Sequence, residues 1–485
     1  MNKLYYGDNY GIMENKIEKQ SIDLIYLDPP FNSNKNYNLM YRNMTGQPLP
    51  EQVEAFCDAW TMDEEKQRIA NTIPLLLREI GADDEYIAFW QLWMKSLGKL
   101  NSPLMAYLIY MVPRLCRMKG ILKPTGSIYL HCDSTASHYL KIMMDGIFGH
   151  KNFQNEIIWS YNRWPAKSNR FQRMHDTILF YTGGGKNTFN LQYQEPTGSS
   201  KKRWAGKQQK VTFDIEGNRL PTIEMEKKSP GVPMNDVWQI PIIAPSAKER
   251  LGYPTQKPIA LLKRIILASS NPGDVVFDPF CGCGTTIFAA QALDRKWIGC
   301  DIAILAIRLV RDILQEKLAL SEGRDFVVDG IPSSVESAIE LAEHDRFQFQ
   351  HWIVERVKGF PMLKKTADKG IDGRLYFYEK EELCEMVLSV KSGSIKPADV
   401  RDLRGVLERE GTAKMAGFLC IKPPTKAMRQ EAASAGLYTD HLGNSYPRIQ
   451  ILTVQEIIED KKFFNTPAAL RSRVDTGQLA LGWDW

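Results

Sequence analysis

The sequence predicts an α/β protein: a Rossmann-like, doubly wound sheet carrying a basic insertion, followed by a second, smaller α/β unit. Three observations lead there. "SIDLIYLDPPF" is an apolar run closed by prolines, the mark of a parallel strand buried on both faces. "GDVVFDPFCGCGTTIFAAQAL" reads as strand, glycine loop and helix, the nucleotide-binding turn of doubly wound sheets. A fresh α/β alternation starts near residue 340 and implies its own core. A chain of 485 residues exceeds one ordinary core, so two or three domains are expected.

Residues 1–150 hold the "DLIYLDPPF" strand, a helical insertion at about 45–120, and a second strand, "GSIYLHCD". In the insertion, "YIAFWQLWMKSLGKL" and "MAYLIYMVPRLCRM" carry apolar residues at helical spacing. Residues 151–250 change character. They are rich in Gly, Pro, Asn, Lys and aromatics, with short strands such as "TILFYT". In 251–320 a helix begins at "YPTQKPIALLKRIILAS", with Thr255 as N-cap and Pro258 in the first turn, where a missing N–H is harmless. The glycine loop follows, then strand "RKWIGCDI" and helix "AILAIRLVRDILQEKLAL". Residues 321–344 read as a polar linker. Residues 345–485 alternate helix "HDRFQFQHWIVERV", strands "GRLYFYE" and "EMVLSVKS", helix "VRDLRGVLERE", strand "MAGFLCIK" and helix "TKAMRQEAASAG".

No apolar run approaches the roughly 20 residues that span a bilayer. The N-terminus lacks a signal-peptide shape, and the eight cysteines fit neither a zinc site nor a disulfide framework. A reducing cytoplasm is expected. Net charge is +5, but residues 151–264 hold 19 Lys and Arg against 9 Asp and Glu, a balance of +10 that leaves −5 elsewhere. A basic middle between neutral or acidic flanks suggests a polyanion surface, although a solvated face reads the same way.

In the glycine loop, Gly282 and Gly284 let backbone approach a ligand, and the helix N-terminus offers N–H groups to an anion. Asp301 ends the next strand, where an acid binds ribose hydroxyls. A ligand-free tight turn fits the glycines equally well. The loop lacks the Lys-Ser/Thr of a phosphate loop and the full GxGxxG. Asp278 before the turn would repel phosphates, yet it suits a ligand bearing an ammonium group, such as S-adenosylmethionine.

Here the residues resemble a known family. "FDPFCGCGTT", with Asp278, Phe280, Gly282, Gly284 and Thr285, looks like the cofactor motif of DNA amino-methyltransferases, and "DPPF" looks like their catalytic motif. "YPTQKP", with Thr255 and Lys257, resembles the segment before the cofactor motif in the permuted, beta-class members. "LYYGDN", with Asp8, resembles the strand end that contacts the cofactor's adenine. The motif order is the beta-class order. Over about residues 1–320 the resemblance implies a seven-stranded, mostly parallel sheet with helices on both faces, S-adenosylmethionine as cofactor, double-stranded DNA as substrate and often a homodimer. It casts 1–150 as the catalytic half, 151–250 as the target-recognition region and 251–320 as the cofactor half. Restriction or phage-defence partners would fit such an enzyme.

The catalytic motif then has a chemical reading. An exocyclic amino nitrogen is a poor nucleophile, because its lone pair is delocalised into the ring. Asp28 and the carbonyl of Pro29 can take its two hydrogens. Pro29 and Pro30 contribute no N–H, so only acceptors face the amine. Phe31 can stack on a base extruded from the duplex. A strand-closing acid with Phe31 in the core is the plainer alternative. Aspartate at the first position resembles adenine-N6 enzymes more than cytosine-N4 ones, which more often carry serine. The two loops, 28–31 and 278–284, are expected to meet from opposite ends of one sheet.

In the basic region, Arg163, Lys167, Arg170 and Arg173 are interleaved with Trp159, Tyr161, Trp164 and Phe171, and "KKRW" adds Lys201, Lys202 and Arg203. Cationic side chains neutralise phosphates, arginine forks read guanine edges, and aromatics stack where a base is removed. An ordinary charged loop face is the alternative for any one of them. His175 and Asp176 lead into a strand and read as structural.

Residues 345–485 resemble the Mrr-like branch of PD-(D/E)xK restriction nucleases through "ADKGIDGRLYF", "VLSVKSG" and "MAGFLCI". By that resemblance Asp372 would hold Mg²⁺ and Lys391 would stabilise phosphate charge. Ser389 stands where the pattern has an acid or Gln. Glu385 shares a strand face with Lys391, but six residues at about 3.3 Å each put it roughly 20 Å away. Asp368 is a looser candidate. A bifunctional methyltransferase and nuclease, and a nuclease-like fold kept for binding DNA or a partner through Lys396, Arg401 and Arg404, both remain open.

Overall fold

A computed structural model describes residues 1–30, 36–39, 53–57, 60–164, 167, 169–194, 207–209, 212–213, 219–220, 225–228, 231–251, 253, 255–362, 370–380 and 382–467. Its centre is a nine-stranded sheet. In chain order the strands are β1 (Asn2–Tyr6), β2 (Ile22–Leu27), β3 (Leu122–Cys132), β4 (Phe153–Ser160), β5 (His175–Thr182), β6 (Val237–Gln239), β7 (Val275–Asp278), β8 (Lys296–Asp301) and β9 (Phe326–Asp329). In space they run β6-β4-β5-β3-β2-β7-β8-β1-β9. Only β5 runs antiparallel to its neighbours. The count is nine rather than seven because β6 and β9 add one parallel edge strand each.

β2 and β7 are parallel neighbours at the middle of this sheet, with Leu24 opposite Val276 and Ile25 opposite Phe277. Their loops therefore leave the same carboxyl edge, side by side, and not from opposite ends of the sheet. The chain winds one way through β2, β3, β5 and β4 and the other way through β7, β8 and β1. Such a switch point leaves a crevice at the carboxyl edge.

Helices cover both faces: α1 (Asn9–Asn15), α2 (Glu64–Glu79), α3 (Asp84–Leu100), α4 (Ser102–Ile121), α5 (Ser137–Met144), α6 (Ile259–Ser269), α7 (Thr285–Ala292) and α8 (Ile304–Glu316). The apolar run 105–112 lies inside α4 and is buried there except at Tyr110, which makes it a core helix. No helix among the described residues is long and apolar enough to cross a membrane. Cys116, Cys132, Cys281, Cys283, Cys300, Cys384 and Cys420 are buried and free of disulfides.

Three expectations change here. α6 starts at Ile259 with Pro258 as its N-cap residue, and the Glu249 carboxylate accepts from the Ile259 N–H at 3.2 Å, so Thr255 caps nothing. Residues 321–344 are more than a linker. They supply β9 and helix α9 (Val335–His344), because Phe326 is fully buried and packs near Trp297. The C-terminal unit also does not keep its core to itself. Helix α10 (Arg346–Arg356) sends Phe349 and Trp352 into the apolar cluster that holds Leu4, Tyr6 and Val310. The Tyr6 hydroxyl donates to the Gln348 carbonyl at 3.4 Å.

That unit has a five-stranded sheet of β10 (Phe360–Pro361), β11 (Gly373–Glu379), β12 (Glu382–Lys391), β13 (Ala413–Cys420) and β14 (Ile449–Thr453), in that order. The pairs are antiparallel up to β12 and parallel beyond it. Its other face carries helices α11 (Pro397–Arg409) and α12 (Lys426–Ala433) over a separate cluster around Val387, Leu403 and Phe418.

Candidate active site

A cavity of about 230 Å³ opens at the carboxyl edge where β2 and β7 end. Asp28, Pro29 and Pro30 line it, together with Asp8, Thr255, Lys257, Asp278, Phe280, Gly282, Thr285 and Asp301. Both groups of sequence-predicted residues thus share one space. Phe31 lies outside the described residues. Gly284 does not line the cavity. It caps α7 at φ 87°, and a Cβ there would come within 2.7 Å of Val310 and 3.0 Å of Phe288, so its role is close packing in a left-handed turn.

Each acidic residue is held differently. Asp8 caps α1 and receives both carboxylate contacts of Arg114, at 2.8 and 2.6 Å. Arg114 is buried, bonds Asn9 and the Tyr110 carbonyl, and lies over the Tyr110 ring. Asp301 braces the glycine loop: one oxygen accepts from Gly282 N–H and the other from Ala303 N–H, each at 2.8 Å. Burial nevertheless pushes its carboxyl up. Asp278 accepts from Phe280 N–H at 3.0 Å. Burial, then the charges of Asp28 and Asp301, raise it to about 7 against the pull of Thr286 and Phe280.

Asp28 has two unlike oxygens. Oδ2 is paired with the ammonium of Lys257. Oδ1 is buried and has no hydrogen-bond partner among the described residues. An orphaned buried acceptor of this kind costs free energy unless a donor arrives, so it marks where a ligand N–H would be received. Lys257, expected at the cofactor, lines the cavity and contacts Asp28.

The sequence reading missed what lies behind Asp28. His131, from β3, is fully buried. Its Nδ1 is 2.9 Å from the Tyr26 hydroxyl and 3.9 Å from Asp28 Oδ1, and its Nε2 is 3.3 Å from Asp176. A carboxylate only accepts, so Nε2 donates to Asp176. Asp176 also accepts from Tyr161 at 3.1 Å. Burial raises the Asp176 carboxyl, but His131, Lys257 and Tyr161 outweigh it and hold the group below the usual carboxylate range. The one available signal was a histidine inside an apolar strand, "IYLHCD", which a satisfied core residue also explains. Asn9, Trp60, Tyr110 and Tyr253 also line the cavity and were not foreseen.

In the basic region Arg163, Trp164, Lys167 and Arg170 are exposed on the segment between β4 and β5, with Trp164 95% and Phe171 fully exposed. Arg173 is paired with Asp133 at 3.3 Å. Trp159 and Tyr161 are buried, the former donating to the Ile240 carbonyl at 2.8 Å, so they belong to the core and not to a stacking surface. His175 is exposed at the start of β5. Lys201, Lys202 and Arg203 lie outside the described residues.

In the C-terminal unit Asp372 Oδ2 accepts from Val390 N–H at 2.6 Å and from the Ser389 hydroxyl at 3.3 Å, while Lys391 is exposed at the end of β12. Glu385 is taken by Arg374 at 2.7 Å. Asp368 lies outside the described residues. Among the described residues no group of three His, Cys, Asp or Glu could hold a metal ion, and one oxygen of Asp372 is hydrogen-bonded to the adjacent strand β12.

Comparison with known proteins adds the following. The sequence model of a family described as DNA methylase matches residues 22–312. Type II methyltransferase M.EcaI of Enterobacter cloacae is 29% identical over 50% of this chain and 65% of its own, so this chain spans just under two thirds of that relative. DNA adenine methyltransferase YhdJ of Escherichia coli (strain K12) is 28% identical over 62% of this chain and 78% of its own. A DNA modification methylase of Thermus thermophilus, solved with S-adenosyl-L-methionine, is 16% identical over 68% of this chain and 99% of that one, with a TM-score of 0.34.

Replacing His131 by Leu keeps the volume but leaves Tyr26 and Asp176 without their buried partner. We expect a loss of about 2–3 kcal/mol in unfolding free energy, measured by denaturant titration. A loss below about 0.5 kcal/mol would show that the three groups are not coupled.

Proposed function

The chain belongs to the DNA methylase family, and from that premise we propose that it transfers the methyl group of S-adenosylmethionine to N6 of adenine in duplex DNA, as the modification activity of a restriction–modification or phage-defence system. The observation that carries this reading is that Asp28, whose Oδ1 has no hydrogen-bond partner among the described residues, lines the same cavity as Asp278, Asp301 and the start of α7. The residues fit the cofactor. Asp278 suits its ammonium group, the N–H groups at the head of α7 suit its carboxylate, and Asp301 suits ribose hydroxyls through its remaining lone pairs. Asp8, already held by Arg114, would meet the adenine end together with Trp60 and Tyr110. When bound, S-adenosylmethionine supplies an electrophilic methyl on a sulfonium.

The chain's own residues prepare the amine. Asp28 Oδ1 and the Pro29 carbonyl accept its two hydrogens and favour a pyramidal nitrogen with a free lone pair. Lys257 keeps Oδ2 engaged, so a single carboxylate oxygen is offered. Trp164 and Phe171, exposed beside Arg163, Lys167 and Arg170, can stack on bases while the cations meet phosphates. A homodimer and further defence subunits belong to the same proposal, to be tested by mass in solution. For the C-terminal unit we propose a nuclease-like fold that binds DNA or a partner without cleaving, since Ser389 replaces the middle acid and Asp372 is engaged by Val390.

Asp28→Ala should lower methyl transfer by at least about a thousandfold and leave cofactor binding within a few-fold. Nucleoside mass spectrometry of DNA treated with labelled cofactor reads the product; undiminished N6-methyladenine would end the reading. Asp278, raised to about 7, binds a proton in the empty protein that the cationic ligand must displace. Affinity for S-adenosylmethionine should therefore rise roughly tenfold from pH 6 to 8, and Asp278→Asn should flatten that profile. The sign for stability is opposite: because the folded pKa exceeds the unfolded one, Asp278 stabilises the empty fold at low pH, and that contribution fades as pH rises from about 4 to 7. Plasmid incubated with Mg²⁺ should show equal nicking by the native protein and Lys391→Ala, and faster nicking by the native protein would restore the nuclease.

A further inference from the structure

Lys257 reaches Asp28 across 229 residues of chain, and both side chains are nearly buried, at 11% and 15% exposure. Four carboxylates line the cavity, from Asp8, Asp28, Asp278 and Asp301, and Lys257 brings the ammonium among them. Asp8 is already answered by Arg114. The charge that a ligand meets near Asp28 therefore depends on Lys257.

We propose that Lys257 is a specificity-determining residue that narrows the cavity's preference for a cationic sulfonium over the neutral thioether left after methyl transfer. The inference rests on the proposed function. That reaction requires the sulfonium to lie one methyl group away from an amine held by Asp28 Oδ1. The ammonium sits on the other oxygen of the same carboxylate, so sulfonium and ammonium are at most roughly 12 Å apart, the summed reach of two hydrogen bonds, the carboxylate and an in-line transfer. Two like charges at that separation, in a site of effective dielectric near 20, repel by an amount worth roughly tenfold in affinity. S-adenosylmethionine and S-adenosylhomocysteine share every other group. Lys257 therefore weakens the first and spares the second, while its contact holds the Asp28 side chain in place.

The test is calorimetric binding of both compounds to the full-length protein at about pH 8.5, above the carboxyl range. The ratio of the thioether Kd to the sulfonium Kd should rise roughly tenfold in Lys257→Met and in Lys257→Gln, and stay near the native value in Lys257→Arg. Melting curves establish that each variant is folded, and two uncharged replacements guard against one that is not. An unchanged ratio in the folded uncharged variants overturns the inference and leaves the proposed function standing. Failure of the native protein to bind either compound overturns the proposed function itself.

Discussion

Everything in the site depends on the parallel pairing of β2 with β7 at the centre of the sheet. Leu24, Ile25, Val276 and Phe277 are all buried, so the register is fixed by core packing. Carrying it forward puts Tyr26 beside Asp278 and delivers Asp28 just beyond. Two segments far apart in sequence then act as one edge, and the cavity between their loops is as rigid as the strands below it.

That rigidity has an electrostatic cost. Carboxylates gathered in a desolvated space repel one another and lose hydration. The protein answers each in its own way. Arg114 clasps Asp8, backbone N–H groups hold Asp301, Lys257 takes half of Asp28, and Asp278 is left to bind a proton near neutrality. The deficit that remains, one bare oxygen and one displaceable proton, is what a ligand with an ammonium group and a base with an amine would relieve.

The basic segment and the C-terminal unit attach to this frame at its two ends. β4, β5 and β6 form one flank, and the exposed Trp164 and Phe171 project from the connection there, while Trp159 and Tyr161 from the same stretch anchor it in the core. At the other flank β9 closes the sheet and α10 packs on β1, one residue before the Gly7–Asp8 corner of the cavity. The two units share one continuous apolar cluster, so the second is part of the first one's fold and not a tethered passenger.

The sequence by itself determined the α/β class, the buried strand before Asp28, the strand, loop and helix at 275–292, and the alternating elements of residues 346–433. These are properties of local periodicity and of proline and glycine chemistry, and nearby residues are enough to specify them. It also marked residues that the structure gathers at one cavity, because acids, prolines and glycines at one strand end have few structural uses. Only the tertiary structure decided that Lys257 contacts Asp28, that His131 stands behind it, that Gly284 packs against Val310 and Phe288, that Tyr161 is core while Trp164 is surface, and that residues 326–329 close a sheet. Each of these depends on which groups distant in sequence share one desolvated volume, and a periodic pattern carries no record of that.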